Sequence, residues 1–174
     1  MTKKTAKAVT KLPVPITTEY VEKKISKIPT RIVAISPEFI PECKRLGDAC
    51  YDVRANLSDL NGYFLYIGSL ETKLVDLGFK LELPFGWEAQ IRCRSGWATK
   101  GLMVTNGIGT IDCNFRENLK VILTNTSDMP IIIRHKDRIA QITLKPVWYF
   151  DFCQVDTLDN STDRGGGFGS TGIQ

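Results

Sequence analysis

Several things are scarce in this chain, and each scarcity narrows its chemistry. There is one histidine, His135, in 174 residues, so a zinc site built on several histidines is excluded. It lies between the strand-like Ile131-Ile132-Ile133 run and Asp137, where a solvated turn histidine is expected. The five cysteines, Cys43, Cys50, Cys93, Cys113 and Cys153, are odd in number and contain no C-x-x-C pair. That pattern reads as free thiols in a reducing compartment, hence a cytoplasmic protein, with nuclear and host-cell placement left open. No uncharged stretch exceeds 11 residues (Leu60 to Leu70, Gly101 to Ile111), too short for a membrane-spanning helix, so no membrane partner is expected. The N-terminal region lacks the apolar block of about 7–15 residues that a secretory signal needs. No helical hydrophobic period of useful length appears, and at most one turn is expected around Ser95 to Lys100. With histidine so scarce, catalysis must rest on carboxylates, hydroxyls or cations.

The rest of the composition is that of an ordinary soluble globular protein, 43% hydrophobic and 24% charged, with room for one domain and a remainder. The net charge of +4 is unevenly placed. Residues 1–31 hold eight basic residues against two acidic ones, giving +6, and residues 32–174 carry −2. Nucleic-acid binding is therefore unexpected for the body and open for residues 1–31. Residues 1–30 read as a basic extension, flexible or loosely packed, and 31–155 as the folded domain. The glycine-rich remainder is 156–174.

The body reads as all-β. Strand-like runs cover Arg31 to Ser36, Tyr51 to Ala55, Lys73 to Gly78, Phe79 to Leu83, Glu88 to Arg94, Leu119 to Thr124 and Arg138 to Leu144. They recur every 8–12 residues or so, with turn signals between them at Asn61-Gly62, Pro84-Phe85-Gly86, Asn106-Gly107 and Ser127-Asp128, as in a sandwich or barrel. The aromatic run Trp148 to Phe152 fits either a core or a subunit interface.

Three polar features stand out. Asp112 follows the apolar Gly109-Thr110-Ile111, where a strand would bury it at a cost unless it is paired. A turn aspartate beside Asn114 is an even alternative. Arg92 and Arg94 share one strand face before the small-residue turn Ser95-Gly96, where backbone N–H groups, a hydroxyl and a guanidinium can meet a phosphate. A surface arginine pair is the plainer reading. Gln141 sits on a strand beside Ala140 and carries almost no signal alone. From Arg164 to Gly172 an arginine, Phe168 and Ser170-Thr171 stand among glycines, the parts of a phosphate cradle with a stacking residue. Without the lysine or spacing of a P-loop, the segment fits a lid that orders over an anionic aromatic ligand, whereas composition alone favours a frayed terminus.

Five ordered blocks resemble the trimeric dUTPase family. They are Ala49 to Ala55 (Cys50 standing where glycine is usual), Arg94 to Ala98, Asn106 to Arg116, Asp137 to Gln141 (Lys136 where glycine is usual) and Arg164 to Gly172. The resemblance implies a jelly-roll-like β-barrel with a flexible glycine-rich tail, assembled as a homotrimer with shared active sites. It implies hydrolysis of dUTP to dUMP and pyrophosphate with Mg²⁺, which keeps uracil out of DNA and supplies dUMP for dTTP synthesis. Asp112 would activate the water. Arg94, Ser95, Gly96, Gln141 and Arg164 would hold phosphate oxygens, and Asp52 would reach the metal through water. A hairpin after Asn106, with Gly109, Thr110, Ile111 and Lys120, would read the uracil edge. Phe115 would pack under the sugar, and Phe168, Gly169 and Ser170 would close over the base. The alternatives are a dCTP deaminase or bifunctional enzyme of the same fold, and a non-catalytic regulatory protein built on it.

Overall fold

Short runs in which buried and exposed residues alternate build the described part of the chain, residues 27–166 of a computed structural model. The strands are β1 (Arg31–Ala34), β2 (Tyr51–Arg54), β3 (Phe64–Ile67), β4 (Thr72–Asp76), β5 (Phe79–Glu82) and β6 (Trp87–Cys93). They continue as β7 (Leu102–Val104), β8 (Gly109–Ile111), β9 (Lys120–Asn125), β10 (Ile131–Arg134) and β11 (Arg138–Pro146). One helical turn, α1 (Ser95–Ala98), falls where a turn of helix is expected. The strands pair antiparallel as β1-β5, β10-β3, β2-β11-β6-β8 and β4-β9-β7. The all-β expectation holds, and the arrangement suits a jelly roll. No helix among the described residues is long and apolar enough to cross a membrane.

The two larger sheets share one core. Val53, Ile91, Ile139 and Ile142 come from one sheet, and Val75, Leu102, Val121 and Leu123 from the other. Each side chain of this size stabilises the fold by about 1.5–3 kcal/mol when fully buried. The two-residue period of a strand then decides the opposite face. With Ala89 and Ile91 turned into the core, Glu88, Gln90 and Arg92 of β6 must face outward.

Two local devices fix the turns. Asn125 is fully buried, and all of its amide is used. Its Nδ2 donates to the carbonyls of Ile67 (3.0 Å) and Met129 (2.8 Å), and its Oδ1 accepts from the Ser127 N–H (2.9 Å) and hydroxyl (2.7 Å). Gly78 turns the chain between β4 and β5 at φ +74°, and a Cβ there would lie 2.7 Å from the buried Phe39 ring. Only glycine meets both demands.

The structure differs from the sequence reading at several places and settles one alternative that the reading left open. β1 ends at Ala34, two residues short of Ser36. Strand β3 lies in a run with no alternation to reveal it. The hairpin expected after Asn106, with Gly109 to Ile111 and Lys120, does not form: β8 pairs with β6, and β9, which carries Lys120, pairs with β4 and β7, so the chain crosses between sheets after Asn106. Trp148 to Phe152 is not core, since all five residues are exposed.

Candidate active site

The outward face of the four-stranded sheet gathers one group of the expected residues. Register pairs Asp52 of β2 with Gln141 of β11, and Gln141 with Arg92 of β6, so these residues project from one face. Arg94 and Ser95 follow at the corner between β6 and α1. The Asp52 carboxylate, only 16% exposed, is shared by two guanidinium groups. Arg94 Nε approaches Oδ1 at 2.7 Å, and Arg138 Nη1 approaches Oδ2 at 2.9 Å. Arg94 Nη1 also donates to the Arg138 carbonyl at 2.9 Å, leaving Nη2 with only a 3.5 Å contact to Asp52. Gln141 Nε2 donates to the Cys93 carbonyl at 2.7 Å, tying the end of β6 to β11.

A cavity of about 670 Å³ opens here, with Arg94, Ser95, Gly96 and Gln141 on its wall. Lys44, Arg45, Arg94 and Arg138 face it against Glu42, Asp48 and Asp52. Cations thus exceed carboxylates by one, and the uncommitted donors of Arg94 and Ser95 suit a phosphate. At the rim, the hydrogen bond from Lys44 and then its charge hold the Glu42 carboxyl below its ordinary value. Glu42 therefore stays ionised through neutral pH.

The second group lies around β8 at the other edge of this sheet, with Thr110 and Asp112 on the outward face. Ala89 pairs with Ile111, so Asp112 comes level with Glu88, at the opposite end of β6 from Arg94. Asp112 is exposed at the start of a turn through Asn114, so of the two even readings the turn aspartate holds and the buried carboxylate does not. The strand ends one residue before it, so no sheet covers it. Its carbonyl accepts from the Phe115 N–H at 3.1 Å, closing a turn that Arg116 staples through the Cys113 and Phe115 carbonyls. Gly109 is buried against Ile91, whose Cβ would lie 3.4 Å from any added Cβ. Asn106, Thr110, Phe115 and Lys120 are exposed and Ile111 is half-buried. The Thr105 N–H donates to Ile122 of β9, so the Asn106 loop runs beside the strand that carries Lys120.

The two groups are far apart in one chain. From β2 to β8 is three strand spacings, and from the level of Arg92 to that of Glu88 is four residues. At about 4.8 Å per spacing and 3.3 Å per residue, Asp52 and Asp112 stand roughly 20 Å apart. Arg94 is held on Asp52, so it shares that separation.

Other residues fall outside both groups. Arg92 donates to Gln90 Oε1, leaves its buried Nε without a protein partner, and does not line the cavity. The expected Arg92 and Arg94 phosphate pair is therefore divided. His135 is half-buried; its Nδ1 accepts the Leu57 N–H at 3.1 Å, and its ring packs on Phe39 and Tyr63. This corrects the solvated-turn reading. Arg164 is exposed, and Phe168, Gly169 and Ser170 lie outside the described residues. Sequence reasoning gave Arg138 no separate role. Its one signal is a position three residues before Gln141, on the partner strand of Asp52.

Comparison with known proteins bears on what the two groups serve. The family model for dUTPase matches residues 38–172. The chain belongs to the dUTPase family. A deoxyuridine 5'-triphosphate nucleotidohydrolase of Hydrogenobaculum sp. is 47% identical over 109 residues, covering 62% of this chain and 76% of the relative. That of Fusobacterium nucleatum is 37% identical over 150 residues, covering 85% and 99%. Among solved structures, the dUTPase of Staphylococcus bacteriophage 80alpha with dUPNHPP superposes with a TM-score of 0.71 at 22% identity, covering 83% of this chain and 99% of that one. A mutant dUTPase from phage phi11 of S. aureus, described for coordination of a structural Mg(II) ion, gives 0.64 at 19%, covering 75% and 99%. These two structures show the dUTPase fold, and both groups lie within the matched family region.

Proposed function

We propose that this dUTP diphosphatase works in sites assembled between copies of the chain, the phosphate group of one facing Asp112 of another. The reaction is hydrolysis of dUTP to dUMP and pyrophosphate. The observation that carries the proposal is the separation of roughly 20 Å between the two groups, because reacting atoms must come within about 3–3.5 Å. A homotrimer with shared sites meets that demand, and a head-to-tail ring repeats the same junction three times. The exposed aromatic arm supports an assembled state. Trp148, Phe150 and Phe152 are 80% or more exposed, and Phe85 stacks on Tyr149 with nothing among the described residues over them. An apolar surface of this kind marks an interface.

Within such a site, Asp112 holds the attacking water and takes its proton, as an exposed carboxylate at a strand end is free to do. Arg94 Nη2, the Ser95 hydroxyl, Gln141 and Arg164 engage phosphate oxygens. Hydrolysis of this kind depends on positioning and charge neutralisation rather than on a covalent catalyst. Asn106, Gly109, Thr110, Ile111 and Lys120 line the uracil site on the crossing between sheets. A rigid wall there excludes a thymine methyl, and mismatched buried polar groups reject cytosine. Phe115 packs under the sugar, and Phe168, Gly169 and Ser170 close over the base.

The donor set fits Mg²⁺ carried by the triphosphate. Among the described residues no three His, Cys, Asp or Glu side chains form a metal cage, and each Asp52 oxygen already bears an arginine. Mg²⁺ keeps waters and takes phosphate oxygens readily, which leaves Asp52 an outer contact through water. When bound, the ion neutralises oxygen charge on the phosphates. The described cysteines are all free thiols, which supports a reducing, cytoplasmic compartment.

Supplying dUTP, dCTP, dTTP and UTP with Mg²⁺ and following pyrophosphate and ammonia tests the reading. Pyrophosphate from dUTP with the other three spared is expected. Equal release from all four, or ammonia from dCTP, refutes it.

A further inference from the structure

The β11 ladder ends irregularly where the phosphate group is built. Ala140 pairs with Cys93 of β6, but the register on the β2 side shifts between Arg138 and Ala140. β6 stops at Cys93, so the Arg138 carbonyl lies beyond the last rung of the β6 ladder. A half-buried carbonyl in that position needs donors from outside the sheet. Two arrive, Arg94 Nη1 at 2.9 Å and the indole Nε1 of Trp97 at 2.8 Å.

This carbonyl closes a ring of contacts. Asp52 grips Arg94 and Arg138, and the Arg138 backbone grips Arg94 in return. Arg94 is thereby fixed at Nε and Nη1, and Nη2, with only a 3.5 Å contact to Asp52, keeps donor capacity on the cavity wall. Trp97 is the ring's one uncharged donor. It sits in α1 immediately after Ser95 and Gly96, packs against the core, and carries the Lys100 ammonium 5.3 Å from its ring centre. An indole N–H has no other role to play than donor, and here it is spent on the carbonyl that orients the phosphate-binding arginine.

We infer that Trp97 is a positioning residue for triphosphate recognition, acting through the Arg138 carbonyl on Arg94. This rests on the proposed role of Arg94 toward phosphate. Without the indole N–H the carbonyl loses one of its two side-chain donors, and the hold of the β6 corner on the end of β11 is loosened. The effect should fall on substrate affinity more than on the chemical step, because Arg94 grips phosphate in ground and transition states alike.

Trp97→Phe keeps an aromatic body and deletes the donor; Trp97→Leu is the second variant, should the smaller phenyl ring disturb packing. Full-length enzyme is compared by turnover on dUTP, and by calorimetric binding of a dUTP analogue with an imido bridge between α- and β-phosphates. A rise in KM and in analogue Kd of about five- to tenfold is expected, with kcat within about twofold. In an Arg94→Ala background, Trp97→Phe should change analogue affinity by less than about twofold, because the residue it positions is gone. Unchanged analogue affinity in a folded Trp97→Phe enzyme overturns the inference. So does an equal loss in the two backgrounds, which marks a general packing role. Failure of the unaltered enzyme to bind the analogue would instead refute the dUTP reading itself.

Discussion

Two variants that are inactive alone should recover activity when their chains are mixed. Arg94→Ala removes the phosphate anchor and leaves Asp112 untouched, and Asp112→Asn does the reverse. If one chain supplied both, every site in a mixture would carry one defect. The structure argues otherwise, since Arg94 is pinned to Asp52 on the β2 edge and Asp112 follows β8 on the opposite edge, roughly 20 Å away. In the proposed ring of three, each junction would take Asp112 from one chain and Arg94 from its neighbour. With equal and random mixing, both halves are intact at about a quarter of the junctions. Pyrophosphate release from the mixture should therefore approach about a quarter of the unaltered rate per chain, while each parent stays lower by orders of magnitude. The variants are mixed in denaturant and refolded together, and native mass measurement confirms assemblies carrying both. Mixed assemblies that turn over no faster than the average of the parents would refute the shared-site argument.

Other expectations follow from the same geometry. Asp112→Asn should bind the imido analogue within about threefold of the unaltered enzyme while kcat falls by about 10²–10⁴; unchanged turnover removes Asp112 from its role. Truncation after Asp163 should leave the melting temperature nearly unchanged and cripple turnover, whereas full activity without the tail refutes a part for Arg164 and Phe168. Gly78→Ala should cost about 3 kcal/mol in urea unfolding at fixed chain concentration, from left-handed backbone strain and overpacking of Phe39. Gly47→Ala is its control: φ is +95° with open space around it, so only the backbone part of about 1 kcal/mol should appear. Equal losses at the two sites would refute the Phe39 contact as the cause.

What the sequence revealed depended on whether one face of an element was polar. β6 and β11 have a polar outward face, so alternation marks both strands, while the register that sets Gln141 beside Asp52 came from the structure. Phe64-Leu65-Tyr66-Ile67 escapes the same test because its outward residues, Phe64 and Tyr66, are about half exposed yet aromatic. The crossing at Asn106 misled for a different reason. Asn-Gly between apolar runs is the strongest local hairpin signal, and Gly107 does turn at φ +71°. Buried Leu102 and Val104 nevertheless pair with β9, some twenty residues downstream, and no local pattern reports a choice between sheets. His135 was misread because its partner, the Leu57 N–H, is 78 residues away. Block order named Arg94, Ser95, Gly96 and Gln141, which the structure gathers on one cavity wall, but their distance from Asp112 required strand register.

The charge of the site carries a further consequence. The body is net acidic, and the cavity's excess of one cation cannot by itself neutralise a triphosphate. Asp52 even removes charge, since it stands against both Arg94 and Arg138. What it contributes is direction: both guanidinium groups are held in fixed orientation, and a fixed donor needs no reorganisation when the ligand arrives. Such a site discriminates by the placement of oxygens rather than by total charge, and it suits a substrate that brings its own divalent cation. The same logic separates the site from residues 1–31, whose +6 has no carboxylate frame of comparable density. Charge of that composition supports salt-sensitive attraction to a polyanion.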